Sequence, residues 1–175
     1  MKRIVTAAIA AALLVAGPAW AALGIGAKAP DFTANAYQDG KQTPFSLKAA
    51  LKKGPVVLYF FPAAYTGGCN IEAQEFARSI DEFKAAGATV IGVTGGNTNR
   101  LADFSKEHCN GKFPVAAASA ETIKAYDAAM PIKAGWSNRT SYVIGRNGKI
   151  VGVHSASNPV GHITSTLAVV KSLKK

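Results

Sequence analysis

One thiol in this chain is placed to react. Cys69 follows a continuous apolar run, 56–61, that reads as a buried strand. The run breaks at Pro62, crosses the small-residue loop Ala63-Ala64-Tyr65-Thr66-Gly67-Gly68, and enters an amphipathic helix with the cysteine in its first turn. A thiol there lies beside backbone N–H groups without intrahelical partners and beside the positive end of the helix dipole, both of which favour thiolate over thiol. The thiolate is the nucleophilic form, so the placement points to covalent or redox chemistry at sulfur. The plain alternative for a lone thiol is a buried structural cysteine. Pro62, Thr66 and the two glycines argue against it, being poor packing partners but suited to the geometry of a site.

The elements that must position this thiol follow from periodicity. Cys69, Ala73, Phe76, Ile80 and Phe83 recur at steps of four and three, which predicts a helix over 68–86 packed on a core. Glu72, Glu75, Arg78, Asp81, Glu82 and Lys84 fall between them and predict a charged outer face, with Gly87 as the C-terminal cap. Strands are expected at 56–61, 88–93, 114–118, 140–145 and 149–154, the last two joined through Arg146-Asn147-Gly148, since Asn-Gly is a strong hairpin signal. Further helices are expected at 99–109, 121–129 and 160–173; in the last, Ile163, Leu167, Val170 and Leu173 repeat at helical spacing. Alternation of strand and helix, closed by a hairpin, predicts an α/β fold with a mixed central sheet and helices on both faces.

The N-terminus reads as an export signal. Lys2 and Arg3 precede an apolar run from Ile4 to Gly17, and Ala19-Trp20-Ala21 supplies the small residues of a cleavage site. Residues 1–21 are therefore expected to be a cleaved signal peptide, residues 22–175 one domain, and the compartment periplasmic or secreted. The apolar run is too short and alanine-rich for a preferred membrane anchor, so no stable membrane insertion is expected after cleavage. Loss of Lys2 and Arg3 lowers the formal charge from +10 to +8, scattered along the chain except at Lys174-Lys175. No basic-aromatic stripe suggests nucleic-acid binding. Cys69 and Cys109 stand 40 positions apart, which excludes a Cys-x-x-Cys dithiol and a c-type haem site. His108, His154 and His162 lack metal-ligand spacing with the cysteines, so neither metal nor cofactor is expected.

The segment Pro62-x-x-x-Thr66-x-x-Cys69 resembles the active-site pattern of peroxiredoxins, the alkyl hydroperoxide reductase/thiol-specific antioxidant family. The likeness runs along nearly all of the expected mature chain. Gly26-Ala27-Lys28-Ala29-Pro30-Asp31-Phe32 looks like the opening segment, Phe45-Ser46-Leu47 the approach to the first long strand, and Phe113-Pro114-Val115 a later strand entry. Arg139-Thr140-Ser141-Tyr142-Val143-Ile144 is similar to the arginine-bearing strand, and Cys109 makes the chain most similar to the Q-type, bacterioferritin comigratory protein-like branch. The resemblance implies a thioredoxin-like fold with a peroxiredoxin-type N-terminal extension over 24–55.

It also implies a function. Cys69 thiolate would attack a hydroperoxide and become a sulfenic acid, with Arg139 as electrostatic partner, Thr66 presenting its hydroxyl to the sulfur or a peroxide oxygen, and Pro62 shaping and shielding the pocket. Glu72 stands where a family glutamate helps to position the arginine; a carboxylate favoured in the first helical turn is the plain alternative. In the Q-type branch a second cysteine can resolve the sulfenic acid as an intramolecular disulfide, which here would be Cys69–Cys109; many members carry that cysteine five positions after the first, where this chain has Gln74. A static disulfide and a one-cysteine cycle stay open. Asn70 and Ala120 depart from the family's frequent threonine or serine and aspartate. The implied partners are a hydroperoxide and a thioredoxin-like or small-thiol reductant, the implied state a monomer or weak homodimer. The competing class is a non-catalytic thioredoxin-fold redox-sensing or binding module.

Overall fold

A computed structural model describes residues 22–174; the expected signal peptide lies outside them. The run Val-Val-Leu-Tyr-Phe forms β3 (Val56–Phe60), paired along one edge with β4 (Thr89–Thr94), parallel to it, and along the other with β6 (Thr140–Ile144), antiparallel to it, and buried on both faces by the helices that cover the sheet. The seven-stranded sheet is completed by β1 (Thr33–Gln38), β2 (Lys41–Ser46), β5 (Val115–Ala117) and β7 (Ile150–Ser155), in the order β2-β1-β5-β4-β3-β6-β7. Alternate residues of β3 divide the core in two. Val57 and Tyr59 join the apolar faces of α2 (Gly67–Ala85), α3 (Leu101–Glu107) and α5 (Pro159–Ser172); Val56, Leu58 and Phe60 meet α1 (Leu47–Lys53) and α4 (Ala120–Ala125). This is the α/β, thioredoxin-like architecture the sequence implied.

Helix α2 ends as Gly87 predicts. With φ at +78° it places its N–H on the Lys84 carbonyl and the Ala88 N–H on that of Phe83, a Schellman closure. The stripe Cys69, Ala73, Phe76, Ile80 and Phe83 is buried as expected, but Glu72 is buried with it. Position 72 follows Cys69 by three residues and so shares its helical face; the expectation of a charged outer face holds for its neighbours and fails for Glu72.

Two other expectations change. The helix predicted over 99–109 begins as a 3-10 turn, Thr98–Arg100, and its α-helical part ends at Glu107, so Cys109 lies just past the helix, its N–H on the Phe104 carbonyl. Asn110 and Gly111, both at positive φ, turn the chain there. The helix predicted over 121–129 stops at Ala125, where Asp127 at φ +48° reverses direction. In the N-terminal extension, β1 and β2 form a two-residue hairpin through Asp39 and Gly40, both at positive φ. Asp-Gly is a hairpin signal of the same kind as Asn147-Gly148.

Candidate active site

The site lies where β3 runs out and α2 begins. Thr66 is the N-cap of α2 in extended geometry, yet its side chain caps nothing: its hydroxyl donates to the Ala63 carbonyl at 3.0 Å. The first-turn N–H groups are thus left without a side-chain acceptor near Cys69, which is 1 % exposed.

Arg139 enters from the residue before β6. Its Nη2 donates to Cys69 Sγ at 3.5 Å, and its Nη1 contacts the Gly68 carbonyl at 3.5 Å and the Glu72 Oε2 carboxylate oxygen. Gly68 admits this approach: a Cβ there would lie 3.0 Å from Nη2. Of the six residues the sequence singled out, Cys69, Arg139 and Glu72 are in direct contact. Pro62 forms one wall of an adjoining cleft of about 480 Å³, which Arg139 reaches and which Met130, Pro131, Ile132 and Ala156 line. Thr66 is one turn from the sulfur with its proton committed to backbone.

Cys109 shares a core cluster with Cys69 on the same face of the sheet, and both thiols are free. Burial pushes the Cys109 thiol far up, so it is protonated at neutral pH. Burial likewise raises the Tyr59 phenol well above its ordinary value, and Cys109, Glu72 and Cys69 each push it further in that direction. Tyr59 thus stands within electrostatic reach of both thiols. Gly92 makes room for its hydroxyl, which a Cβ there would approach to 2.5 Å.

Several supporting residues escaped the sequence reading. Tyr65 holds a left-handed conformation, φ +61°, inside the site loop. Arg100 lies 4.2 Å over its ring and Phe104 meets it edge-on at 5.5 Å, so α3 and its approach pin the loop. Gly95-Gly96, unassigned from sequence, lets the loop after β4 run against the site loop. Gly96 bridges Ala63 and accepts from the Ala64 N–H, while Thr94 donates its hydroxyl to the Pro62 carbonyl at 3.0 Å. A Cβ on Gly95 would lie 2.0 Å from the Gly135 carbonyl oxygen. Behind Glu72 stands His162, fully buried on α5. Its only sequence signal was a polar residue one position before Ile163 on the α5 stripe. Among the described residues, no group of three or more His, Cys, Asp or Glu converges to hold a metal.

The AhpC/TSA family model matches residues 25–153. The chain belongs to the AhpC/TSA family. It is 36% identical over 152 residues to the chloroplastic peroxiredoxin Q of Suaeda salsa, covering 85% of this chain and 68% of that one. It is 33% identical over 153 residues to the chloroplastic peroxiredoxin Q of Sedum lineare, covering 85% and 78%. Among solved structures it resembles the peroxidoxin BcpB of Mycobacterium tuberculosis, with a TM-score of 0.76 and 27% identity over 86% of this chain and 98% of that one. The protein is a peroxiredoxin-type thiol peroxidase, which sets aside the non-catalytic module. Among the described residues of this peroxiredoxin no helix is long and apolar enough to cross a membrane.

Proposed function

We propose that this peroxiredoxin is exported and reduces hydrogen peroxide and organic hydroperoxides, with Cys69 as nucleophile and Cys109 as resolving thiol. The observation that carries the reading is Arg139, held by Glu72, with a guanidinium nitrogen 3.5 Å from Cys69 Sγ. Cys69 thiolate attacks the terminal peroxide oxygen. The O–O bond breaks, its electrons leave on the departing oxygen, and that oxygen takes a proton to become water or an alcohol. Cys69 is left as a sulfenic acid. The fixed fork of Arg139 donates to the peroxide oxygens as charge moves between them. Thr66 keeps oxygen lone pairs free to accept from the peroxide O–H, and Pro62 walls the approach. The organic group of a hydroperoxide lies in the apolar cleft beside Ile132 and Met130.

Cys109 then gives up its proton and as thiolate attacks the sulfenic sulfur; the S–S bond forms, the S–O bond breaks, and the departing hydroxide takes up a proton to leave as water. A thioredoxin-like or small-thiol reductant returns both thiols. Because Cys109 is buried and protonated in the reduced fold, its segment must unwind first; α3 is only seven residues long and ends two residues before it. Export rests on the Lys2-to-Ala21 pattern.

The test is peroxide-dependent oxidation of a dithiol by the purified protein. It should be abolished in Cys69→Ser, because a serine hydroxyl is un-ionised at neutral pH. Undiminished activity in that variant would remove Cys69 from its role.

A further inference from the structure

Glu72 makes one of its two carboxylate contacts and not the other. Oε2 meets Arg139, but Oε1 is buried without a hydrogen-bond partner. The polar atom that faces Oε1 is Nδ1 of His162, 3.7 Å away, and both side chains are 0 % exposed. The tautomer of His162 follows from its other nitrogen. Nε2 lies 2.9 Å from the Ala156 carbonyl, which can only accept, so Nε2 carries a hydrogen. Nδ1 lies 2.8 Å from the Ser141 hydroxyl.

With an ionised Glu72 and a neutral ring, Oε1 would stay without a hydrogen-bond donor in a dry interior, facing an Nδ1 that offers no hydrogen and accepts from the Ser141 hydroxyl. The buried set would then hold two negative charges, Glu72 and the Cys69 thiolate, against the single positive charge of Arg139. One further proton between Oε1 and Nδ1 removes both problems.

We propose that Glu72 and His162 together hold one proton at neutral pH, which makes His162 a positioning residue of the thiol site: it keeps Glu72 from cancelling the charge that Arg139 presents to Cys69. Burial disfavours the charged form of both partners. It pushes the Glu72 carboxyl up to about 8 against the pull of Arg139, and the His162 ring down to about 4. The other groups facing the pair are few. Arg139 approaches from the residue before β6 and Ser141 from β6 itself. The Tyr59 hydroxyl comes from β3, Cys69 from α2, and His154 from β7, its ring edge-on to His162 at 4.6 Å.

This inference rests on Cys69 as the nucleophile, but its first readout does not need catalysis. In the full chain labelled with 13C and 15N, the Glu72 carboxyl carbon and the His162 ring nitrogens are followed from about pH 5 to about pH 9. The expected result is a protonated Glu72 carboxyl at neutral pH, an Nε2 that stays protonated, and one shared step seen at both residues as pH rises. A Glu72 carboxyl ionised throughout that range beside an Nδ1 that carries no hydrogen overturns the proposal, whether or not any variant folds.

The second readout is coupling. His162→Leu should lower the rate of Cys69 with hydrogen peroxide at neutral pH by roughly tenfold, and lower the pH at which Glu72 ionises. In a Glu72→Gln background, where the amide carries no titrating proton, the same His162→Leu change should alter the rate less than about twofold. An equal loss in both backgrounds means that His162 acts only through packing and overturns the positioning role. Peroxide consumption surviving in Cys69→Ser would sink the nucleophile instead, and with it the purpose of the pair, while the carboxyl signal would still report the proton.

Discussion

Arg139 Nη2 stands 3.5 Å from Cys69 Sγ although 70 residues separate the two in the chain. The sheet makes the contact. Strand β6 runs antiparallel to β3 with Thr140 opposite Phe60, so the residue entering β6 emerges at the same end of the sheet as the residues leaving β3. Helix α2 starts there, and Glu72, one turn in, takes the other side of the guanidinium.

Arg139→Ala should therefore slow the peroxide step by about a hundredfold to a thousandfold, the cost of removing a charge-stabilising donor from a reacting centre. Arg139→Lys should recover little of this, because a single ammonium cannot serve Sγ, the Gly68 carbonyl and Glu72 together. Stopped-flow peroxide kinetics on folded variants decide it; a lysine variant as fast as wild type would show that charge alone suffices.

One equivalent of hydrogen peroxide should convert the reduced protein into a monomer with a Cys69–Cys109 disulfide. In Cys109→Ser the first equivalent is still consumed, but the sulfenic acid should persist, react with a dimedone-type reagent and over-oxidise with excess peroxide. Since attack needs a thiolate and burial holds Cys109 as a thiol, disulfide formation should quicken as pH rises, by about tenfold per unit below the ordinary thiol range. Peptide mapping that finds a free Cys109 beside oxidised Cys69 would replace this cycle with a one-cysteine one.

The buried acid and imidazole give stability a pH signature. Glu72 has its folded value raised from 4.5 to about 8, so its contribution is fully present below 4.5 and is lost as pH rises towards 8. His162 has its folded value lowered from 6.5 to about 4, so its contribution is present above 6.5 and is lost as pH falls towards 4. Between 6.5 and 8 only Glu72 acts, and one proton over that interval amounts to about 2 kcal/mol. Denaturant titrations should show stability falling across this window in wild type and a flatter profile in Glu72→Gln. Equal slopes would mean that Glu72 is ionised in the fold.

Export predicts Ala22 as the mature N-terminus, because Ala19 and Ala21 are the small residues a signal peptidase requires. Intact-mass measurement on protein from a cell-envelope fraction checks this; full-length chain recovered from cytoplasm would reject both the cleavage point and the compartment.

Local patterns carried the candidate nucleophile. A buried apolar run, a proline, a small-residue loop and a helical stripe are all written within 30 residues, and they place Cys69 at a helix start whatever else the chain does. The Asn147-Gly148 turn was equally legible, and the Asp39-Gly40 turn was legible by the same rule but not read. The end of α3 was harder, because Asn110 and Gly111 stop a helix whose apolar spacing runs on to His108 and Cys109.

The surroundings of the sulfur belong to the tertiary structure. The helical pattern set Glu72 on a charged face and the family resemblance set it beside the arginine; the packing of α2 against α5, with Arg139 entering β6, turns it inward to Arg139 and to His162, which neither reading had placed there. His162 had no spacing relation to any other candidate; α5 brings it there by lying across α2 and β6. Hydrophobic period specifies which face of an element is buried. It does not specify which buried polar groups meet, because that depends on strand order and on which helices share a layer.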